Sequence, residues 1–516
     1  MGNSKRKEIF ILILCLLIGF ALRFYTFDRK SLWLDEIHTF NDSRFGLNDQ
    51  LKFYKERPNY LHPPLFFLLT HQFYPFTKPE RDLRIIPLIF GTLSIPMIYL
   101  LARLFSPGIA LPCALSLAFM AYHISLSQEG RSYALLMFLG MAGLYFFMKH
   151  LETSKKRYLL PAALFFAISL QTSYSSIPFV ALSQILWFYR VNEDDKRSCF
   201  SSLLIFNGLI LLFCLPWFLF IGLNYKGQPS MDPFQAKVLI LFWEILYGVL
   251  HDWVPHIPLM IVSVILLILS PVFSKNWRNP LVLLGLFILP IGGFYLYCKV
   301  FNITHFISSR YFINFLPLFF ITLYLSTNAI EGRFQRLRRV IRLKFLFIIL
   351  FIASNLVILP LYYRSEKEDF MGLVNYLKTN LREGDKLFDV SFMGYMPGIL
   401  HYFGEYPEGR HYAISFRKLS TGEVEYRSSF TYQNKVFTIY HSKTCCHQYV
   451  VDGGRLWIIG GTKTAKLMKG NSQIVLKGYF DGSFLNFNRF PTDASIYLFL
   501  WDPTSPDEKG IDMQME

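Results

Sequence analysis

Apolar positions fall into long, nearly uninterrupted runs up to residue 362, and into short strand-like and helix-like patterns beyond it. The first run, residues 9–22, follows Lys5-Arg6-Lys7 and is closed by Arg23. No small-x-small cleavage site comes after it, so it reads as a first membrane helix rather than a removable signal. Further runs lie near 84–104, 109–126, 133–149, 158–174, 176–189, 202–223, 258–273, 280–298, 311–329 and 343–362. A perpendicular span needs about 20 apolar residues, so the pattern predicts about 11 transmembrane helices, several of them short.

From about residue 364 the alternation changes character. Val374-Asn375-Tyr376-Leu377 lies in a helical pattern that ends at the turn Glu383-Gly384-Asp385. Strand-like runs follow, among them 455–459 and 496–501, with Gly-Gly turns at 453–454 and 460–461. The fold predicted is a polytopic α-helical membrane domain over residues 1–363, with a C-terminal extracytoplasmic α/β or α+β domain over 364–516. Two outer segments interrupt the first part. Residues 27–83 form a long loop with a short amphipathic run at 62–76, which suits a helix lying in the interface. Residues 224–257 carry Asp232, Glu244, His251, Asp252 and His256. No internal repeat or low-complexity tract is visible.

Composition narrows the class. Of 516 residues, 53% are hydrophobic, 18% aromatic and only 17% charged, against about 25% charged in a soluble chain. Disorder, collagen and a disulfide-stapled miniprotein are excluded. Cys15, Cys113, Cys199, Cys214 and Cys298 sit in or beside apolar runs and read as small core residues. Cys445 and Cys446 are adjacent in the outer domain, where a bond between neighbours would be strained.

The net charge of +16 is a topology signal rather than a nucleic-acid footprint. With the first helix running outward, Arg103, Lys155-Lys156-Arg157, Lys196-Arg197, Lys275 with Arg278, and the cluster Arg333, Arg336, Arg338, Arg339, Arg342, Lys344 all fall in cytoplasmic loops. The N-terminus is then cytoplasmic and the C-terminal domain outside. Anionic membrane lipids are a secondary partner for this charge.

Four polar clusters fall on the outer side. Trp33-Leu34-Asp35-Glu36 places two carboxylates just past a membrane helix, where desolvation suits one of them to take a proton near neutral pH. Leu61-His62-Pro63-Pro64-Leu65 places His62 at the entry of the amphipathic run. Ser127-Gln128-Glu129-Gly130-Arg131-Ser132-Tyr133 lies between two spans, with Gln128 and Arg131, and Glu129 and Tyr133, at helical-face spacing. Ser309-Arg310-Tyr311 brings a guanidinium whose fork suits phosphate. Each cluster by itself also fits a plainer role: a solvated loop, a helix start, a helix–helix ion pair, an aromatic-belt anchor. Their shared side of the membrane raises the expectation that they converge.

Trp33-Leu34-Asp35-Glu36, His62-Pro63-Pro64-Leu65, the 127–134 segment, and Arg310-Tyr311 with Pro317 together resemble, in order and spacing, the successive motifs of bacterial integral-membrane glycosyltransferases. The class is GT-C, of the protein O-mannosyltransferase-like and aminoarabinose-transferase-like kind (glycosyltransferase family 39/83). Residues 364–387 also resemble that family's link into its extracytoplasmic domain. The resemblance implies a hexosyl- or pentosyltransferase of the cell membrane that takes a sugar from a polyprenyl-phosphate donor and passes it, with inversion, to a lipid, glycan or protein acceptor. It implies Asp35 as general base, with Glu36 beside it. A lipid monophosphate leaving group calls for fixed cations and donors, and Arg131, Arg310, Tyr133, Tyr311 and His62 supply them, alongside Gln128 and Glu129. Some family members carry Lys where this chain has His62. This chemistry requires no metal, and the sequence shows no His/Asp ligand spacing. The rival class, a transporter or lipid flippase, calls for internal repeats and charges at midplane depth.

Overall fold

The computed structural model describes residues 3–56, 62–187, 196–226, 241–274, 277–300, 308–334, 342–390, 394–407, 415–418, 424–441, 454–469, 473–482 and 493–504. Two compact units emerge. One holds Met1–Phe27, Phe45–Phe73 and Arg84–Leu361; the other holds Asp28–Arg44, Tyr74–Leu83 and Tyr362–Glu516.

The first unit is helical. Asn3–Phe24 forms 22 residues of helix over the predicted first run, with Phe10, Ile13, Leu14 and Leu17 exposed, as lipid-facing side chains would be. Six helices are long and apolar enough to cross a membrane: Pro79–Phe105, Tyr133–Thr153, Phe200–Asn224, Arg278–Val300, Ser309–Arg333 and Leu343–Arg364. Two bent pairs, Pro107–Phe119 with Ala121–Ser127 and Phe242–Trp253 with Ile257–Phe273, raise the count among the described residues to as many as eight.

The sequence pattern led to about 11; run 9–22, although helical, falls outside this count, and the absence of the other two runs has a local cause. Residues 158–189 read as two spans, but Leu159–Thr172 stops where Ser173 turns extended (φ −161°, ψ 138°) and caps a 3-10 turn by accepting from the Ser175 N–H. Only 14 residues of α-helix precede that break, and the next helix, Ile177–Ser183, has seven. Run 109–126 is likewise broken at Met120, whose ψ of 110° bends the pair by 62°.

Buried polar groups lock the bundle. Arg23 is fully buried. Its guanidinium donates to the carbonyls of Gly19 (2.8 Å), Ala118 (3.0 Å) and Leu117 (2.8 Å), and lies 2.8 Å from His123 Nδ1. A cation that saturates main-chain acceptors at a bent helix junction is a tie between helices. Gly91 lets its helix press against Ser127, which a Cβ there would overlap.

The second unit is built on a seven-stranded mixed sheet of order β2-β3-β4-β1-β5-β7-β6. Its strands are β1 (Lys386–Asp389), β2 (Ser415–Lys418), β3 (Val424–Tyr432), β4 (Lys435–His441), β5 (Leu456–Gly460), β6 (Ile474–Phe480) and β7 (Ile496–Trp501). β1 pairs parallel with both β4 and β5, and the outer strands pair antiparallel. A strand flanked by parallel neighbours on both sides is buried on both faces, and Leu387, Phe388 and Asp389 are fully buried.

The predicted helix appears as Phe370–Asn380, capped by the Asp369 side chain on the Gly372 N–H (2.7 Å). The Gly460-Gly461 pair is not a hairpin turn: Gly460 ends β5 and Gly461 caps the helix Thr462–Met468. Gly453 and the Cys445-Cys446 pair lie outside the described residues, as do Asp232 and Arg336, Arg338 and Arg339. Leu32, Ile37, Phe40 and Leu83 share one hydrophobic core with Phe370, Leu377, Ile399, Ile439 and Trp457. Part of the loop 27–83 thus folds with the sheet.

Candidate functional site

Two groups of polar side chains are candidates for chemistry, one in each unit. In the sheet-bearing unit, Trp33 is extended (φ −86°, ψ 171°) and the helix Leu34–Ser43 begins after it, with Asp35 and Glu36 in its first turn. Carboxylates there meet the positive end of the helix dipole. Their surroundings differ. Glu36 is buried, and its Oε2 accepts the Trp33 N–H at 3.4 Å, so it closes the start of its own helix. Asp35 is half-buried.

The segment leading to Asp35 is held from the far end of the chain. The Ser31 N–H donates to Glu366 Oε2 (3.0 Å), the Leu32 N–H to the Tyr402 hydroxyl (2.7 Å) and the Leu34 N–H to Glu368 Oε2 (2.9 Å). Lys367 Nζ sits 4.1 Å from the Trp33 ring centroid. The Tyr402 hydroxyl in turn donates to Glu80 Oε1 (3.0 Å). Burial holds that phenol well above its ordinary pKa, with the Glu80 charge adding to the effect, so it stays a donor.

In the helical unit, Ser309 is the centre of a buried polar knot. The Tyr122 hydroxyl is 2.8 Å from Ser309 Oγ, and Ser309 Oγ donates to Asp252 Oδ2. Glu129 and Arg310 lie within electrostatic reach of the same Tyr122 hydroxyl. The Arg310 guanidinium is 5.5 Å from the Tyr133 ring centroid and 5.9 Å from that of Tyr311. Two aromatic faces hold it in a fixed orientation while it remains half-buried. Arg310, Tyr133 and Tyr311 are thus brought together, with Arg310 and Glu129 both in electrostatic reach of Tyr122.

The other residues singled out from the sequence fall elsewhere. Gln128 is buried, and its Nε2 donates to the carbonyls of Arg23 (2.8 Å) and Tyr25 (2.6 Å), which makes it part of the helix tie. Arg131 is half-buried in a tight turn, its N–H on the Glu129 carbonyl at 2.7 Å. His62 is exposed just ahead of the helix Leu65–His71, which the Pro63-Pro64 step introduces. Among the described residues, no group of three or more His, Cys, Asp or Glu side chains is placed to hold a metal ion.

Sequence reasoning placed Asp252 in the second outer segment, Ser309 beside Arg310 and Glu368 in the family-like link without giving any of them a role in these groups, and it passed over Tyr122. Asp252 left a signal: an acid in the last turn of the apolar helix Phe242–Trp253. Glu368 left none.

Residues 61–220 match the model of the dolichyl-phosphate-mannose-protein mannosyltransferase family. No curated protein sequence matches the chain. The fold is similar to that of ArnT from Cupriavidus metallidurans in its apo state, with a TM-score of 0.53 at 11% identity over 97% of this chain and 98% of ArnT. For ArnT bound to undecaprenyl phosphate the TM-score is 0.51, with the same identity and coverage. These likenesses agree with the resemblance read from the sequence: residues 61–220 are similar to that transferase family, and the chain has an ArnT-like fold, with several helices apolar enough to cross a membrane and a C-terminal sheet.

Proposed function

We propose that the protein transfers a sugar from a polyprenyl-phosphate-linked donor to an acceptor hydroxyl at the outer face of the cell membrane, with inversion at the anomeric carbon. The observation that carries this reading is the start of the helix Leu34–Ser43. There, of two adjacent carboxylates, Glu36 is spent on the helix start and Asp35 is left half-buried on a segment clamped by Glu366, Glu368 and Tyr402. A fixed, partly desolvated carboxylate is what a general base requires.

In the proposed reaction Asp35 accepts the proton of the acceptor hydroxyl as its oxygen bonds to the anomeric carbon. The bond from that carbon to the phosphate oxygen breaks, and its electron pair leaves with the lipid phosphate. A base on the face opposite the leaving group gives inversion. The phosphate gains charge as it departs, so cations held in place before the reaction favour the transition state. Arg310, its guanidinium 5.5 Å from the Tyr133 ring centroid and 5.9 Å from that of Tyr311, is preorganised for that role, with Arg131 as the second cation. The positive-inside distribution of Lys and Arg supports a cytoplasmic N-terminus and an outer location for residues 364–516.

The test is incubation of the purified protein with a panel of polyprenyl-phosphate sugars and candidate acceptors, followed by mass analysis. Release of polyprenyl phosphate coupled to a glycosylated acceptor of inverted configuration is the expected result. A retained configuration, or donor consumption only from nucleotide sugars, would overturn it.

A further inference from the structure

We propose that Glu368 is a positioning residue for Asp35: it fixes the segment that carries the base and acts on it with its charge, so that the two carboxyls work as a pair. This deepens the reading of Asp35 as general base and rests on it.

The first support is geometric. Residues 366–371 run beside 31–34 and engage them at successive points: Glu366 takes the Ser31 N–H, Lys367 covers Trp33, Glu368 takes the Leu34 N–H, and the Met371 N–H reaches Ser31 Oγ at 3.3 Å. Glu368 grips the residue next to Asp35. It is itself buried, 7% exposed.

The second support is the company it keeps. Within electrostatic reach of Glu368 are Asp35 from the helix Leu34–Ser43, Lys367 from its own segment and Asp389 from the end of β1. Tyr395, just ahead of the helix Met396–Phe403, lies within electrostatic reach of Glu368, Asp389 and Asp493. Asp389 is fully buried, takes the Met396 N–H at 3.0 Å and lies 3.3 Å from His441 Nδ1. The charges of two other carboxylates therefore act on Glu368, which is itself desolvated, and disfavour its ionised form.

Burial pushes the Glu368 carboxyl up to about 7, and the charges of Asp35 and Asp389 push the same way. The Leu34 N–H and Lys367 oppose them. Above that pH Glu368 is ionised, and its charge makes Asp35 a stronger base. As the pH falls through it, Glu368 takes up a proton and that support for the base is withdrawn. The protein then loses base strength at a pH far above that of an isolated carboxylate.

The experiment is the pH dependence of kcat/KM for wild type and two variants. Wild type is expected to show an acid limb near 7. Glu368→Gln keeps an oxygen for the Leu34 N–H and removes the charge. Its limb is expected to move toward the ordinary carboxylate range, by more than about one pH unit, with slower turnover at pH 8. Lys367→Met keeps an apolar stem against Trp33 and removes the opposing cation, so its limb is expected to move upward. Opposite shifts are not the outcome of a merely structural role. A Glu368→Gln profile that overlays wild type overturns the proposal, as does a Lys367→Met limb that stays in place or moves down. Failure of the base assignment is separable: there Asp35→Asn itself retains turnover, whereas an inactive Asp35→Asn with unmoved limbs condemns only the pairing.

Discussion

Replacing Arg310 probes the donor side of the reaction. Its guanidinium is held 5.5 Å from the Tyr133 ring centroid and 5.9 Å from that of Tyr311, so it meets a phosphate without first paying to order a flexible side chain. Arg310→Ala removes one charge-assisted hydrogen bond, about 1.5–3 kcal/mol, which converts to a rise of about 10- to 150-fold in donor KM. The lost ring contacts cost about 0.5–1 kcal/mol each in stability, too little to unfold the chain. Arg310→Lys keeps the charge without the fork and should fall between wild type and alanine. The assay is initial rate against polyprenyl-phosphate sugar concentration, with a thermal melt as folding control. A donor KM for Arg310→Ala within about twofold of wild type, well below that range, would refute the reasoning. Arg310 would then be an aromatic-belt anchor.

Two further outcomes follow from the geometry. Tyr402→Phe removes the hydroxyl that serves the Leu32 N–H and Glu80, and should cost about 1–3 kcal/mol in stability together with a lower kcat at unchanged donor KM; an unchanged melt and rate would detach Tyr402 from the clamp. A reporter fused after residue 380 should give an extracytoplasmic signal, and a cytoplasmic one would contradict both the charge-based orientation and the outer-face reaction.

Much of the helical unit was legible because span length and apolar continuity are properties of local sequence. The runs at 84–104, 133–149, 202–223, 280–298, 311–329 and 343–362 all reappear as long helices. What escaped was where a run breaks. Met120 turns extended with no glycine or proline at the site, and Ser173 is an ordinary residue in an apolar stretch. In the second unit β7 was readable from its six apolar residues, yet the placement of β1 between β4 and β5 was not, since it depends on pairings about fifty and seventy residues away.

The candidate site divides in the same way. Asp35, Arg310 and Tyr133 announce themselves as polar groups beside membrane spans. The sequence makes Asp35 and Glu36 equal candidates, and only the Trp33–Glu36 contact separates the half-buried acid from the one that caps the helix. Glu368 reads as part of a charged linker. Its meaning appears when a segment 334 positions away folds beside it.

The central claim is that Asp35 takes the acceptor proton, and the measurement that tests it most directly is the turnover of Asp35→Asn. The amide is nearly isosteric, so the helix Leu34–Ser43 and its clamp should persist and the thermal melt should match wild type. Donor binding should also stay near wild type. Turnover should fall by about 10²–10⁴-fold, the usual contribution of a general base. Retention of more than about a tenth of wild-type turnover, outside that range, would contradict the account and pass the role of base to another group.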